Sequence, residues 1–298
     1  MIDRASTFAD SEVLKSLRQN FVPVALDQAY QRRQEDAEGD FYRRIAQQGR
    51  PTSSRNATTQ GLYVAAPDGT LLGFTNNRSP DRIRRMLTEA LGRYQPASTG
   101  RIETGRRDPR YNPQLPAGGL VVRVQARVLD GYDPPRNAME DAFQTALSRD
   151  NLWISPSEHQ QLLQQRLPDS LVRRIARFHL VDNTRGEPPM WKATEVQSVD
   201  VALDDGVLAG RIQLATEDGE RAYDVWLRGH LEHDQTGVTR FDVVARGTFR
   251  GEGRYTRGAP KNPFPLAISF TLADGSDIAD EIPPQGSRGW VQGYIDLR

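Results

Sequence analysis

The chain contains no cysteine. These 298 residues therefore hold no disulfide, no thiolate nucleophile and no Cys-ligated metal. Lysine is scarce as well: Lys15, Lys192 and Lys261 are the only three among 39 basic residues. Arginine suits bidentate anion contacts, but a specific site needs few of them, and genomic base composition explains the bias more simply. Net charge is absent too, because 39 acidic residues balance the bases. That argues against recognition of nucleic acid or of a membrane surface by overall charge. No apolar run approaches the roughly 18 residues of a membrane span. Residues Met1 to Ser6 lack the basic and apolar regions of a signal peptide. The cytoplasm is the expected compartment. No Gly-rich phosphate loop, Gly-x-Ser-x-Gly elbow or His-Glu-x-x-His motif occurs, so neither a cofactor nor a metal is implied. The expected partner is a protein or a small polar ligand.

A length of 298 residues suggests two domains. The first is expected over residues 1–95. It is organised around Thr58 to Phe74, where two apolar runs flank Pro67-Asp68-Gly69, a hairpin signal in which Pro presets φ and Gly supplies φ > 0. Asp10 is a good N-cap for a helix carrying Val13, Leu14 and Leu17 on one face. Phe21 to Leu26 reads as a short buried strand, weakened by Pro23. Asp40 to Gln48 reads as a helix ending near Gly49. Ser79-Pro80 opens another, with Ile83, Met86, Leu87, Ala90 and Leu91 at helical spacing.

The run Ser6-Thr7-Phe8-Ala9-Asp10-Ser11-Glu12-Val13, followed by Phe21-Val22-Pro23-Val24 and Asp27, resembles the thioredoxin-like domain of spermatogenesis-associated and related bacterial proteins. The Leu62 to Leu72 hairpin resembles that domain's later hairpin. The resemblance covers the first third of the chain and implies an α/β domain, shortened because residues 1 to 9 hold no apolar run for its first core strand. In that family a Cys-x-x-Cys precedes the matched run; here it would fall at or upstream of Met1. The family's cis-Pro position holds Thr59-Gln60-Gly61. Two explanations stand: a non-redox binding or scaffolding module, which is the leading expectation, or a thiol oxidoreductase whose Cys or selenocysteine lies upstream. A surviving groove would have Thr58, Thr59 and Gln60 at its floor; the simpler reading is a strand entry and a turn.

Residues 96–118, rich in Pro, Gly and Arg, read as a semi-extended linker. The second domain, 119–298, is expected to be α+β. Leu120 to Leu129 alternates as a half-buried strand, and Ser155-Pro156-Ser157-Glu158 is a capping box. From Thr194 four long alternating segments are separated by Asp205-Gly206, Asp218-Gly219 and Asp234 to Gly237, the pattern of an antiparallel meander. Leu266 to Leu272 and Trp290 to Leu297 are further strand candidates.

The densest polar stretch runs from Arg177 to Trp191. A cofactor-free enzyme there would use His179 as base, oriented by Asp182, with Arg185 and Glu187 beside them and Trp191 against the ligand. The competing reading is an ordinary turn with Trp191 in the core. His230 and Glu232 share a strand face while His233 points away, too few ligands for a closed zinc site. Because thiol–disulfide exchange requires a thiolate, the chain is expected to show no reductase activity toward a disulfide substrate; turnover in that assay would contradict the non-redox reading.

Overall fold

The computed structural model describes residues 7–96 and 105–296. The chain is α+β and divides into two compact units, residues 3–114 and 115–298. In the first unit, helix α1 (Ser11–Asn20) starts where the Asp10 carboxylate accepts from the Glu12 and Val13 amides at 3.1 and 2.9 Å. After α2 (Gln28–Gln31) comes α3 (Ala37–Gly49), capped by Asp36. Strands β1 (Leu62–Ala65) and β2 (Leu71–Thr75) form the expected antiparallel hairpin. Gly69 takes φ = 88° in its turn, a conformation that side chains with a Cβ rarely adopt. Helix α4 (Pro80–Arg93) follows.

The hairpin has a helix on each face. Val13, Val64, Ile83, Leu87 and Ala90 form a core on the α4 side. Phe74 stacks on Tyr63, with ring centroids 4.7 Å apart, and packs over Gly49 of α3 on the other. The strand expected at Phe21 to Leu26 does not form. Those residues are irregular, and Val22 and Val24 are 88% and 69% exposed. Pro23 has no N–H to give a ladder, and no neighbouring strand pairs with the segment.

The stretch expected to be a semi-extended connection is folded back where it is described. The Asp108 amide donates to Asp36 at 3.0 Å, the Glu35 amide donates to Asp108 at 2.9 Å, and Asn112 donates to Glu38 at 3.0 Å.

The second unit is built on seven antiparallel strands: β3 (Leu120–Val128), β4 (Asp150–Ile154), β5 (Val196–Asp204), β6 (Val207–Ala215), β7 (Ala222–His233), β8 (Val238–Arg250) and β9 (Phe264–Leu272). Their spatial order is β4-β3-β9-β8-β7-β6-β5. The expected four-strand meander forms, and Asp205 and Gly206 at the β5–β6 turn both have positive φ, 44° and 72°, as a type I′ turn requires. One face of the sheet is the core, carrying Tyr223, Val225, Phe241, Val243, Phe249, Leu266 and Phe270. Helix α5 (Ala138–Gln144) precedes β4. The core takes in residues of α6 (Pro156–Leu163), of α7 (Asp169–Arg174, continuing as a π turn over Ile175–His179) and of α8 (Val291–Ile295). Trp290 to Leu297, expected as a strand, is thus helical over Val291–Ile295, and Leu297 lies outside the described residues. Val291, Tyr294 and Ile295 put their apolar side chains on one helix face against the core.

Asp36 ties the first unit together twice over, as cap of α3 and as acceptor for Asp108. Burial raises its pKa, but hydrogen bonds from the Asp108 and Gly39 amides outweigh that and hold the carboxyl below its usual range. The resulting stability is present above the unfolded carboxyl range and is lost as pH falls through the depressed value. Asp36→Ala should destabilise the first unit by about 1 kcal/mol. Asp36→Asn should lose less stability on acidification than the unaltered chain, measured by urea denaturation followed on first-unit NMR resonances.

Candidate functional site

Glu158 sits at the third position of α6, where it closes the capping box: the Ser155 amide donates to its carboxylate at 2.9 Å, and its own amide donates to Ser155 Oγ at 3.3 Å. The same carboxylate meets Arg174, which is 0% exposed. Arg174 Nη1 and Nη2 donate to Glu158 at 2.8 and 3.0 Å, Nη1 also to the Trp153 carbonyl at 3.0 Å, and Nε to the Tyr294 carbonyl at 2.6 Å. The Ile295 carbonyl takes a further bond. A buried guanidinium is thereby satisfied by one carboxylate and three carbonyls.

His179 ends the π turn beside this network and is 2% exposed. Its Nε2 is 2.7 Å from the Tyr294 hydroxyl. Its Nδ1 is 3.3 Å from Asp150 Oδ2 but off hydrogen-bonding geometry. Burial pushes the Tyr294 pKa well up. Asp150 in turn accepts the Asn151 and Gln285 amides, both at 2.9 Å.

The pair expected from the sequence is not brought together as a base and its orienting acid. Asp182 belongs to a different cluster: it accepts the Thr184 amide and hydroxyl at 3.1 and 2.7 Å and pairs with Arg185. Arg185 donates to the Thr256 carbonyl at 3.1 Å and the Tyr132 hydroxyl at 2.7 Å. Burial raises the Tyr132 pKa. Glu187 is apart from both clusters, exposed and paired with Arg288 at 3.1 Å. Trp191 is 1% exposed rather than available to a ligand; its Nε1 donates to the Leu180 carbonyl at 2.8 Å, and the Arg221 guanidinium lies 3.8 Å from its ring centroid. Gly186 lets the turn pass close under the next loop, since a Cβ there would lie 2.0 Å from the Tyr255 carbonyl oxygen. The Arg177 to Trp191 stretch is therefore dense with polar groups because it crosses the interior, where each of them needs a partner.

In the first unit, Thr59 is buried and consumed by local bonds. Its Oγ1 is 2.6 Å from the Tyr42 hydroxyl, its carbonyl accepts Tyr63 at 2.6 Å, and its amide donates to Gln28 at 3.2 Å. Burial, reinforced by the neighbouring Tyr42, pushes the Tyr63 hydroxyl up to about 12. Thr58 and Gln60 are exposed on either side. His230 and Glu232 share the outward face of β7, and Glu232 pairs with Arg240 at 2.7 Å. Among the described residues no three His, Asp or Glu side chains converge as metal ligands, and no helix is long and apolar enough to cross a membrane.

An open groove lies elsewhere in the first unit, between β2 and α4, with a volume of about 440 Å³. Leu72, Phe74 and Met86 supply its apolar part. Arg82, Arg85 and Arg93 stand along its helical side; Arg82 and Arg85 are three residues apart, a spacing that shares a helix face. Arg93 is engaged, donating to the Leu72 carbonyl at 3.2 Å and pairing with Glu89 at 3.4 Å. Arg82 and Arg85 are exposed and have no ion-pair partner among the described residues. The hairpin is two-stranded, so the outer edge of β2 has no strand beside it among the described residues. The residues were legible as a helix face, but their meeting with a strand edge was not. Comparison with protein-family models, with curated proteins and with solved structures finds no match to this chain.

Removing one partner of a buried ion pair leaves the other uncompensated. Arg174→Met should destabilise the second unit by about 3–5 kcal/mol, and Arg174→Met with Glu158→Gln should recover part of that. Tyr294→Phe should cost about 1–3 kcal/mol by leaving the His179 nitrogen unpartnered. Urea unfolding followed by the fluorescence of buried Trp153 and Trp191 reads both.

Proposed function

We propose that the protein is a non-redox binding protein, with a thioredoxin-like first unit that takes an extended acidic peptide in the groove between β2 and α4. One observation carries the reading: an unpaired strand edge faces two guanidinium groups that have no carboxylate of their own among the described residues. An added strand would find main-chain hydrogen-bond partners along β2 beyond Leu72, whose carbonyl accepts from Arg93. Its acidic side chains would meet Arg82 and Arg85, and its apolar ones Leu72, Phe74 and Met86. The hairpin with a helix on each face supports the thioredoxin-like part of the reading.

The absence of cysteine from these 298 residues removes thiol exchange from the chemistry available to them. Burial of His179, Asp182 and Arg185, and the separation of His179 from Asp182 into different clusters, weigh against the expected base and orienting acid at the Arg177 to Trp191 stretch.

A fluorescein-labelled peptide of alternating Glu and Val is the probe. It should bind the full chain, shift the amide resonances of Leu72 to Thr75, and weaken at least tenfold in the Arg82→Glu/Arg85→Glu double variant, about 1.4 kcal/mol. Binding that survives this charge reversal would remove the groove as the site.

A further inference from the structure

The strands of the second unit alternate, so their outward side chains form rows across the sheet. One row runs Arg211, Trp226, Arg246, Ala267, Arg127, each residue directly opposite the next on β6, β7, β8, β9 and β3. Facing pairs in such a ladder lie on one face of the sheet. Trp226, second in the row, is 61% exposed. The next row carries Arg228 opposite Val244, and Val244 is 50% exposed. No core residue lies on this face, since the buried side chains of β7 and β8 alternate with these. A large indole is thus held in water on an interior strand of the sheet.

Its surroundings are chemically specific. Arg211 lies over the ring, 5.3 Å from its centroid, and is itself anchored to Asp224 at 2.7 Å. Arg127, Arg228 and Arg246 are exposed and have no ion-pair partner among the described residues. The acids of this face are mostly engaged: Asp224 by Arg211, and Asp242 by Arg240 at 2.7 Å. Asp200, opposite Arg211 on the edge strand, is the free carboxylate of the row. Two unneutralised guanidinium groups, Arg228 and Arg246, thus stand next to one aromatic platform, and a third, Arg127, lies three strands along the same row. Whole-chain neutrality averages this strip with acidic residues elsewhere and so does not describe it.

We propose that this open sheet face docks single-stranded nucleic acid, with Trp226 as the stacking residue and Arg127, Arg228 and Arg246 as the phosphate contacts. Trp226 selects this polyanion over an acidic protein, because a base offers a π face to the indole and a carboxylate side chain does not. The open sheet selects single strands over duplex, because unstacked bases can lie flat on it. From Trp226 to Arg127 the strip crosses three strand spacings, about 14 Å, so phosphates flanking a stacked base fall within reach of the cations. This surface is independent of the β2–α4 groove.

The probe is a fluorescein-labelled oligothymidylate titrated with the full chain, at low and at physiological salt. Binding should be saturable and weaken as salt rises. Trp226→Leu should weaken it about tenfold, while Trp226→Phe keeps most of the affinity. Arg246→Glu should weaken it at least as much, with each variant's circular dichroism and melting temperature unchanged. Failure to bind at low salt, indifference to Trp226→Leu in a folded variant, or equal competition by polyglutamate would each overturn the proposal.

Discussion

A buried guanidinium organises the second unit. Arg174 is wholly inside the protein, and an arginine there keeps its charge, so the fold must supply acceptors for it. It does so from three separate parts of the chain: Glu158 on α6, the Trp153 carbonyl on β4, and the Tyr294 and Ile295 carbonyls on α8. Glu158 can serve only if the capping box holds α6 in place. α8 can serve only if it docks, and it docks through Tyr294, whose hydroxyl meets His179. One charge therefore couples the start of α6, the end of α7, an edge strand and the last helix.

That coupling places His179 beside Tyr294 and Asp150, and apart from the Asp182–Arg185 pair. His179, Asp182 and Arg185 are each directed at a partner inside the protein. The groups left over for other molecules stand on surfaces built from strands and helices with one face covered: the α4 face beside β2, and the outward side of the large sheet. In both places arginines lack carboxylates next to an apolar or aromatic group.

Local signals in the sequence correspond to local structure. The Pro67-Asp68-Gly69 and Asp205-Gly206 turns, the Asp10 cap and the Ser155–Glu158 capping box each depend on a few neighbouring residues, and each forms as expected. Phe21 to Leu26 looked like a strand because it is apolar, but a strand needs a partner, and pairing is not local. Trp290 to Ile295 looked like a strand for the same reason and became a helix because Tyr294 is drawn to Arg174 and His179, more than 100 residues earlier. The true neighbours of His179 are Asp150 and Tyr294, and no spacing rule links them. Trp226 was closer to legible: along β7 it shares its parity with Asp224, Arg228, His230 and Glu232, which already placed it on the polar side.

Amide hydrogen exchange on the full chain tests most directly whether the Arg177 to Trp191 stretch is architecture. The amides of Leu180, Trp191 and Tyr294 donate to the carbonyls of Ile175, Arg177 and Trp290 at 2.9, 3.0 and 3.1 Å. The account predicts that these three exchange only with global unfolding of the second unit, alongside the central amides of β7 and β8. Fast exchange at Leu180 and Trp191 while β7 and β8 stay protected would mean that the segment opens on its own, and would contradict the account.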